Sequence, residues 1–163
     1  PDWLNTKEFD VPFKYWRKDL DSRRDVFLGY CGAASQLAAK IKDLLITSLG
    51  LSVLDWATDF DPATTILRQI EEASRRCGAG IFLFTKDDTL SGKGGKSRAA
   101  PRDNVVFEAG FFSAIKGKYR VLIVLERGAK LPADLGGDIY ASLESKETIA
   151  PVEETLRKFA GAL

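Results

Sequence analysis

Carboxylates are the groups through which this chain could do chemistry, because the sequence contains no histidine. Without an imidazole it has no Ser-His-Asp triad, no Cys-His pair and no H-E-x-x-H zinc site. Its two cysteines, Cys31 and Cys77, are too few to form a structural zinc site by themselves. Catalysis would therefore depend on Asp, Glu, Lys, Tyr or Cys side chains.

Glu108 is the carboxylate in the most unusual setting. It falls in an apolar helical pattern, and none of its neighbours on that helix is basic: Asn104, Val105, Phe111, Phe112 and Ile115. Burial among apolar groups raises a carboxyl pKa, as it does for many catalytic carboxylates. The pattern predicts a catalytic role for Glu108. The alternative is a glutamate that reaches solvent or pairs with a distant arginine.

Weaker candidates follow the predicted strands. Trp56 and Phe60 offer aromatic faces on which a nucleobase can stack, although Trp56 also suits a core. Cys31 has no histidine to activate it, which favours packing over nucleophilic catalysis. The segment 86–88, Lys-Asp-Asp, could bind Mg²⁺ or polar substrate groups. The predicted substrate-binding set is Tyr30, Cys31, Gly32, Ala33, Trp56, Asp59, Phe60, Lys86, Asp87, Arg102 and Asn104, and no metal site is included.

Two glycine-rich segments lack the spacing of nucleotide-binding motifs. Residues 29–32 are not G-x-G-x-x-G, although the backbone N–H groups of such a turn can still bind an anion. A Walker A motif ending at Ser97 would need glycine where the chain has Leu90. We therefore expect residues 91–97 to form a solvated loop.

The elements that must position these residues alternate along the chain. Residues 25–32 predict a buried strand followed by a tight turn. Further apolar runs predict strands over residues 51–57, 79–85 and 119–125, with a weak fifth strand near 139–140. Helical spacing predicts helices over 37–49, 103–116 and 151–162. Another helix is predicted to begin at Pro62, with Asp61 as its N-cap, and residues 89–100 are predicted as a loop.

Continuous apolar strands that alternate with helices indicate a parallel sheet covered on both faces. We predict an α/β fold, a flavodoxin-like doubly wound five-stranded parallel sheet of order 2-1-3-4-5 over residues 25–163. Residues 1–24 are predicted as a linker or N-terminal extension. Because ligands bind such sheets where the strand order reverses, the site is expected at the ends of the first and third strands.

The composition of the chain indicates which classes of partner it is less suited to bind. The 24 Lys+Arg and 23 Asp+Glu residues give a net charge of +1, which argues weakly against nucleic acid. No apolar run approaches the ~20 residues of a membrane span, and no signal peptide opens the chain. We therefore expect no membrane contact. The two scattered cysteines do not form a disulfide framework, which predicts a reducing, cytoplasmic location. Since the chain has no methionine, even at residue 1, an upstream domain is also expected.

The order of motifs resembles the bacterial TIR-like (Toll/interleukin-1 receptor-like) domains of anti-phage effectors controlled by cyclic nucleotides. The matching segments span about residues 25–160: Val26-Phe-Leu-Gly-Tyr-Cys-Gly32, Thr65-Ile-Leu-Arg-Gln-Ile-Glu-Glu72, Phe82-Leu-Phe-Thr-Lys-Asp-Asp88, Arg102-Asp-Asn-Val-Val-Phe-Glu-Ala-Gly-Phe111 and Leu131-Pro-Ala-Asp-Leu-Gly136. The resemblance implies hydrolysis of NAD⁺ as substrate, without a cofactor, to nicotinamide and ADP-ribose or a cyclised form. Glu108 matches the position of the family's catalytic glutamate.

The resemblance also implies roles for the surrounding segments. Residues 30–33 would lie against the substrate, although many relatives have His or another polar residue where this chain has Tyr30-Cys31. Residues 56–61 would help neighbouring copies self-associate through TIR–TIR contacts, and an upstream domain would sense a cyclic nucleotide. In that chemistry Arg102 and Lys86 would offset pyrophosphate charge, and Asn104 would orient Glu108 or a ribose hydroxyl.

Two other functions stay open at this point. One is a non-catalytic TIR assembly and signalling module that self-associates through Phe60. The other is a nucleoside or nucleotide N-glycosidase, or a ribosyltransferase, that uses the same carboxylate.

Overall fold

The computed structural model describes residues 26–59, 63, 65–91, 97–135 and 139–163. Side chains are not described for a few residues of its helices and strands: Asp59, Leu90, Ser91, Ser97, Arg98 and Ile139. The predicted linker over 1–24, Phe60, the predicted cap Asp61-Pro62 and residues 92–96 of the glycine-rich loop lie outside the described residues.

Five parallel strands form the central sheet. They are β1 (Val26–Gly29), β2 (Val53–Asp55), β3 (Ala79–Phe84), β6 (Val121–Glu126) and β7 (Ile139–Leu143), in the order β2-β1-β3-β6-β7. When only the five strands of this sheet are numbered along the chain, β6 and β7 become the fourth and fifth strands. The predicted order 2-1-3-4-5 is therefore confirmed. All residues of β3 are buried, as its apolar sequence requires of a central strand covered on both faces.

Helices cover both faces of this sheet. In chain order they are α1 (Ser35–Asp43, extended by a wider helical turn over Leu44–Ser48), α2 (Trp56–Asp59), α3 (Ile66–Arg76), α4 (Asp103–Lys116) and α5 (Glu153–Gly161). Short 3₁₀ turns lie at Gly32–Ala34, Lys118–Arg120 and Ala133–Leu135. None of the helices in the described part of the chain is long and apolar enough to cross a membrane.

The sheet separates two apolar layers. One layer packs α1 and α5 against residues such as Leu28 and Ile81. The other packs α3 and α4 against the aromatic side chains of β1 and β3. In that second layer Phe112 of α4 stacks on Phe27 at 5.0 Å between ring centroids and meets the edge of Phe82 at 5.3 Å. This packing fixes α4 over the strands that carry the predicted site.

Three local predictions differ from the structure. α3 begins at Ile66 rather than Pro62, because Thr65 has extended backbone and its hydroxyl accepts a hydrogen bond from the Arg68 N–H. The second strand is shorter than predicted and gives way to α2 at Trp56. Residues 89–100 are not one loop, since β4 (Asp88–Ser91) and β5 (Ser97–Ala100) form an antiparallel ribbon.

Candidate functional site

Glu108 lies in the second turn of α4, on the face that packs against the sheet. It shares that face with Val105, Ala109 and Phe112, and only 7% of its surface is exposed. The carboxylate oxygen Oε2 is buried and has no hydrogen-bond partner in the described part of the chain. Burial raises the pKa of Glu108 to about 7. The prediction of a buried carboxylate without a basic neighbour is thus confirmed, whereas its catalytic role stays a prediction.

Gly29, the last residue of β1, provides the space that Glu108 occupies. A Cβ atom at Gly29 would lie 2.9 Å from Glu108 Oε2 and 2.6 Å from the Phe82 ring. Both distances are far shorter than ordinary carbon contacts, so only glycine fits between β1 and α4. The end of β1 therefore forms the wall against which the carboxylate rests.

Tyr30 and Asp55 join the ends of β1 and β2. The Tyr30 hydroxyl donates to Asp55 Oδ1 at 2.9 Å, and Lys42 Nζ lies 3.0 Å from Asp55 Oδ2. Burial, together with the bond to Asp55, raises the pKa of Tyr30, so the phenol stays protonated. The Trp56 ring lies 5.6 Å from that of Tyr30, and its indole N–H is buried without a partner in the described part of the chain.

Asp87 follows β3, three residues after its last residue. Its carboxylate accepts hydrogen bonds from the Thr85 hydroxyl and from Lys146 Nζ at 2.8 Å, and the Cys31 thiol also interacts with it. Burial alone would raise the pKa of Asp87, but these bonds outweigh it and hold that pKa below its usual value. Burial, and to a lesser extent the neighbouring Asp87 carboxylate, raise the pKa of Cys31, which keeps the thiol protonated.

Lys86 contacts Glu126, the last residue of β6. Its backbone N–H donates to Glu126 Oε2 at 2.8 Å, and its Nζ lies 3.2 Å from Glu126 Oε1. The ammonium group is partly exposed, so it can still face a bound anion. Arg102, just before α4, is exposed, and its Nε lies 3.2 Å from Asp88 Oδ2.

Three of the remaining predicted residues are exposed, and two lie wholly or partly outside the described residues. Gly32 and Ala33 are exposed in the 3₁₀ turn after β1, and Asn104 is exposed one helical turn before Glu108. Asp59 ends α2, and its side chain lies outside the described residues, as does the whole of Phe60. Within the described ranges, no group of three or more Cys, Asp or Glu side chains could hold a metal ion.

Charge compensation distinguishes Glu108 from the other buried carboxylates at this edge. The side chains of Asp55, Asp87 and Glu126 are also buried, and each is paired with a lysine: Lys42, Lys146 and Lys86 respectively. Glu108 has no such cation among the residues that the structure describes. A buried, unpaired carboxylate is unfavourable in isolation and favours a ligand that brings positive charge.

Sequence reasoning missed three contributors to this arrangement. The sequence pattern predicts Gly29 only as part of a turn and assigns no role to Glu126 or Lys146. Glu126 directly follows an apolar strand, so its position offered a signal. Lys146 offered none, since it pairs with a residue 59 positions away.

Comparison with known proteins places the chain in a family. Residues 25–145 match the family model described as CAP12/Pycsar effector protein, TIR domain. The chain belongs to this TIR-domain family. The predicted TIR-like resemblance is therefore confirmed.

Curated relatives of this TIR domain are named CD-NTase-associated protein 12 or Pycsar effector protein. A CD-NTase-associated protein 12 from Sphingobacterium faecium is 30% identical over 71% of this chain and 35% of its own length. The Pycsar effector protein BcPycTIR from Burkholderia cepacia is 35% identical over 61% of this chain and 35% of its own. A CD-NTase-associated protein 12 from Flavobacterium daejeonense is 52% identical over 44% of this chain and 22% of its own. The TIR domain thus spans about a third or less of the length of these relatives.

Proposed function

We propose that this TIR domain is the effector part of an anti-phage system and that it hydrolyses the nicotinamide N-glycosidic bond of NAD⁺. The observation that carries the proposal is Glu108, a buried carboxylate without a cationic partner in the described part of the chain, at the edge of the sheet where ligands bind. The nicotinamide ring of NAD⁺ is a cation attached to the sugar carbon that reacts. It therefore supplies the charge that Glu108 lacks.

The chemistry requires one carboxylate and no imidazole. The bond between C1′ and the pyridinium nitrogen breaks, and its electron pair leaves with nicotinamide, which becomes neutral without protonation. Positive charge develops on the ribosyl ring, and ionised Glu108 stabilises it electrostatically. Water then adds to C1′ and releases a proton, which gives ADP-ribose. A general acid for the leaving group is unnecessary, in keeping with a chain that has no histidine.

Other residues of the edge have supporting roles in this proposal. Lys86 follows the end of β3, Arg102 precedes the start of α4, and both would offset pyrophosphate charge. Each also forms an ion pair with a carboxylate of the protein. Asn104, one turn before Glu108, would contact a ribose hydroxyl. The exposed backbone of Gly32 and Ala33 would border the substrate.

Regulation by assembly forms part of the same proposal. The names of the relatives link them to CD-NTases and to Pycsar systems, and we infer that a cyclic-nucleotide signal controls this domain within a longer protein. Phe107 and Ile115 on the outer face of α4 are each about half exposed and offer an apolar surface for a neighbouring copy. Clustering of copies would then raise activity.

The test is release of nicotinamide from NAD⁺, followed by chromatography over a range of protein concentrations. Removing a key electrostatic group costs about 10²–10³ in kcat, so Glu108→Gln should lower release by about that factor. Glu154→Gln, an exposed change on α5, is the matched control and should stay within about twofold of the wild type.

Three outcomes would count against parts of the proposal. Equal release by a folded Glu108→Gln protein contradicts the role of Glu108. Cleavage of nucleotides with neutral bases, at rates similar to NAD⁺, favours a general N-glycosidase instead. Strict proportionality between rate and protein concentration contradicts activation by self-association.

A further inference from the structure

The ribbon of β4 and β5 brings Lys86 and Arg102 together near the start of α4. At the base of the ribbon, Asp88 of β4 pairs with Ala100 of β5. The Asp87 backbone N–H also donates to the Ala100 carbonyl oxygen at 3.1 Å, so the two segments lie side by side one residue before the ribbon begins. Lys86 lies two residues before Asp88, and Arg102 lies two residues after Ala100. The base of the ribbon therefore carries one cation on each segment.

Lys86 is held at this base by a buried carboxylate. Both oxygens of Glu126 contact it, since Oε2 accepts from the backbone N–H at 2.8 Å and Oε1 lies 3.2 Å from Nζ. Only 7% of the Glu126 side chain is exposed, against 41% of the Lys86 side chain. The carboxylate is thus enclosed, whereas the lysine stays partly exposed and its ammonium group has three donors. The segment after Glu126 also holds β5, because the Lys130 backbone N–H donates to the Ala99 carbonyl oxygen at 3.0 Å.

Arg102 is held by Asp88 on the opposite segment. Its Nε lies 3.2 Å from Asp88 Oδ2, and about half of its side chain is exposed. A guanidinium group has five N–H donors in one plane, and this contact uses the donor on Nε. Within the described residues, the four donors on the two Nη groups stay available to a ligand. Two such donors fit the oxygens of a phosphate group.

The two cations and Glu108 are spaced in a way that suits a nucleotide. Like charges on neighbouring segments of a ribbon repel each other, and an anion between them removes that repulsion. Arg102 directly precedes α4 and lies six residues before Glu108, which corresponds to about 9 Å along the helix axis. A ribose with its phosphate groups can bridge a span of that length. A ligand with its cationic ring at Glu108 would then place its phosphate groups at the base of the ribbon.

We propose that the base of the β4–β5 ribbon binds the diphosphate of the substrate, with Lys86 and Arg102 as contacts and with Glu126 and Asp88 as positioning residues. The inference rests on the proposed hydrolysis of NAD⁺ and gives a role in it to the ribbon, an element that the sequence did not predict. It also defines the substrate class as nicotinamide nucleotides, because the riboside without phosphate lacks the group that these cations bind.

Substrates that share the reacting bond but differ in their phosphate groups test this assignment. NAD⁺ has a diphosphate, nicotinamide mononucleotide has one phosphate and nicotinamide riboside has none. We expect Arg102→Gln to lower the ratio of kcat/KM for NAD⁺ to kcat/KM for the riboside by about tenfold, mainly through KM, because a contact with phosphate is lost. The mononucleotide should show an intermediate loss. An unchanged ratio would overturn the inference, since a displaced Glu108 or a less stable fold lowers both values equally.

Arg157→Gln is the matched control for this variant. Arg157 is a similarly exposed arginine that pairs with Glu153 on α5. Its substitution should leave the ratio within about twofold of the wild-type value. Arg102 is a better residue to change than Lys86, because removal of Lys86 would leave the buried Glu126 carboxylate without its cation and destabilise the fold.

Two variants of Asp88 distinguish positioning from competition. Asp88→Ala removes the acceptor that orients Arg102, whereas Asp88→Asn keeps an oxygen for its Nε but removes the charge. A positioning role predicts that KM for NAD⁺ rises by about threefold or more in Asp88→Ala and by a smaller factor in Asp88→Asn. If Asp88 only competes with phosphate for Arg102, KM falls in both variants. A lowered or unchanged KM in Asp88→Ala would overturn the role of Asp88.

Binding of inorganic pyrophosphate separates this inference from the proposed function, since it needs no turnover. In an NMR titration of the wild type we expect the backbone amide signals of Lys86 and Arg102 to shift. The dissociation constant should rise by about tenfold in Arg102→Gln. No binding by the wild type, or equal affinity of the two proteins, would overturn the diphosphate site. Failure of the wild type to release nicotinamide, with pyrophosphate bound as expected, would instead overturn the proposed hydrolysis alone.

Discussion

Glu108 combines burial with the lack of a counter-ion, and this combination determines how it responds to pH and to ligands. Desolvation favours its neutral form, so near pH 7 the free protein holds a mixture of carboxyl and carboxylate. A cationic ring placed beside it would favour the ionised form and release a proton. The substrate would thus help to create the charge state that the reaction uses.

The pH dependence of turnover follows from the state of this one residue. We expect kcat/KM for NAD⁺ to rise by about tenfold per pH unit below about pH 7 and to level off above it, because only ionised Glu108 stabilises the developing cation. The inflection in kcat should lie at lower pH, since bound substrate lowers the pKa of Glu108. Initial rates between about pH 5.5 and 8.5 measure both profiles. A kcat/KM that falls as pH rises through 7 would mean that Glu108 acts as an acid.

At the scale of elements, the close approach of β1 and α4 determines whether Glu108 fits. Gly29→Ala would place a methyl group against the Phe82 ring and against Glu108 Oε2. Overpacking of this kind costs about 1–3 kcal/mol, and we expect the free energy of unfolding to fall by that amount. We also expect nicotinamide release to fall, because the carboxylate is displaced.

Gly110→Ala on α4 is the matched control for this prediction. Nothing lies within 4 Å of a Cβ atom at Gly110. Alanine there should raise the free energy of unfolding by about 0.5–1 kcal/mol, as it does in a helix interior. Urea titration of the two variants measures both changes. Equal stability of Gly29→Ala and the wild type would show that β1 and α4 separate easily.

The elements differ in how far the sequence predicted them. Continuous apolar runs predicted the strands, because a buried parallel strand must be apolar on both faces. Their order was predicted from the few topologies that right-handed crossovers allow. The ribbon of β4 and β5 was missed, since its short strands contain polar residues and surround a glycine-rich segment. The start of α3 was misplaced because both Asp61 and Thr65 suit an N-cap, and only the structure shows that Thr65 has this role.

The features of the candidate site that depend on neighbouring residues in the sequence were predicted, and those that depend on distant residues were not. The apolar surroundings of Glu108 come partly from neighbours on its own helix, so they could be read from spacing. The ion pair between Asp87 and Lys146 depends on how β3 and the segment after β7 meet, and no local pattern encodes that contact. This is why Asp87 was interpreted as a ligand residue, whereas the structure encloses it among protein donors.

At the scale of the whole molecule, Glu108 opposes folding while it serves the proposed reaction. Its pKa is about 7 in the folded protein, against a usual value of 4.5. Between these two values the folded state binds more protons than the unfolded state, so stability falls as pH rises. Above about pH 7 the full cost is present, about 3 kcal/mol, because one pKa unit corresponds to about 1.4 kcal/mol.

This cost predicts a pH-dependent difference in stability between the wild type and Glu108→Gln. Glutamine does not titrate, so the free energy of unfolding of the variant relative to the wild type should increase by about 3 kcal/mol between about pH 4 and pH 8. Any constant penalty for burying the amide drops out of that change. Urea unfolding of both proteins at several pH values measures it, and Glu154→Gln, at an exposed position, should show a much smaller change. If the two stability curves run parallel across this range, Glu108 is not a buried, uncompensated carboxylate in solution, and the argument for its reaction with a cationic substrate loses its basis.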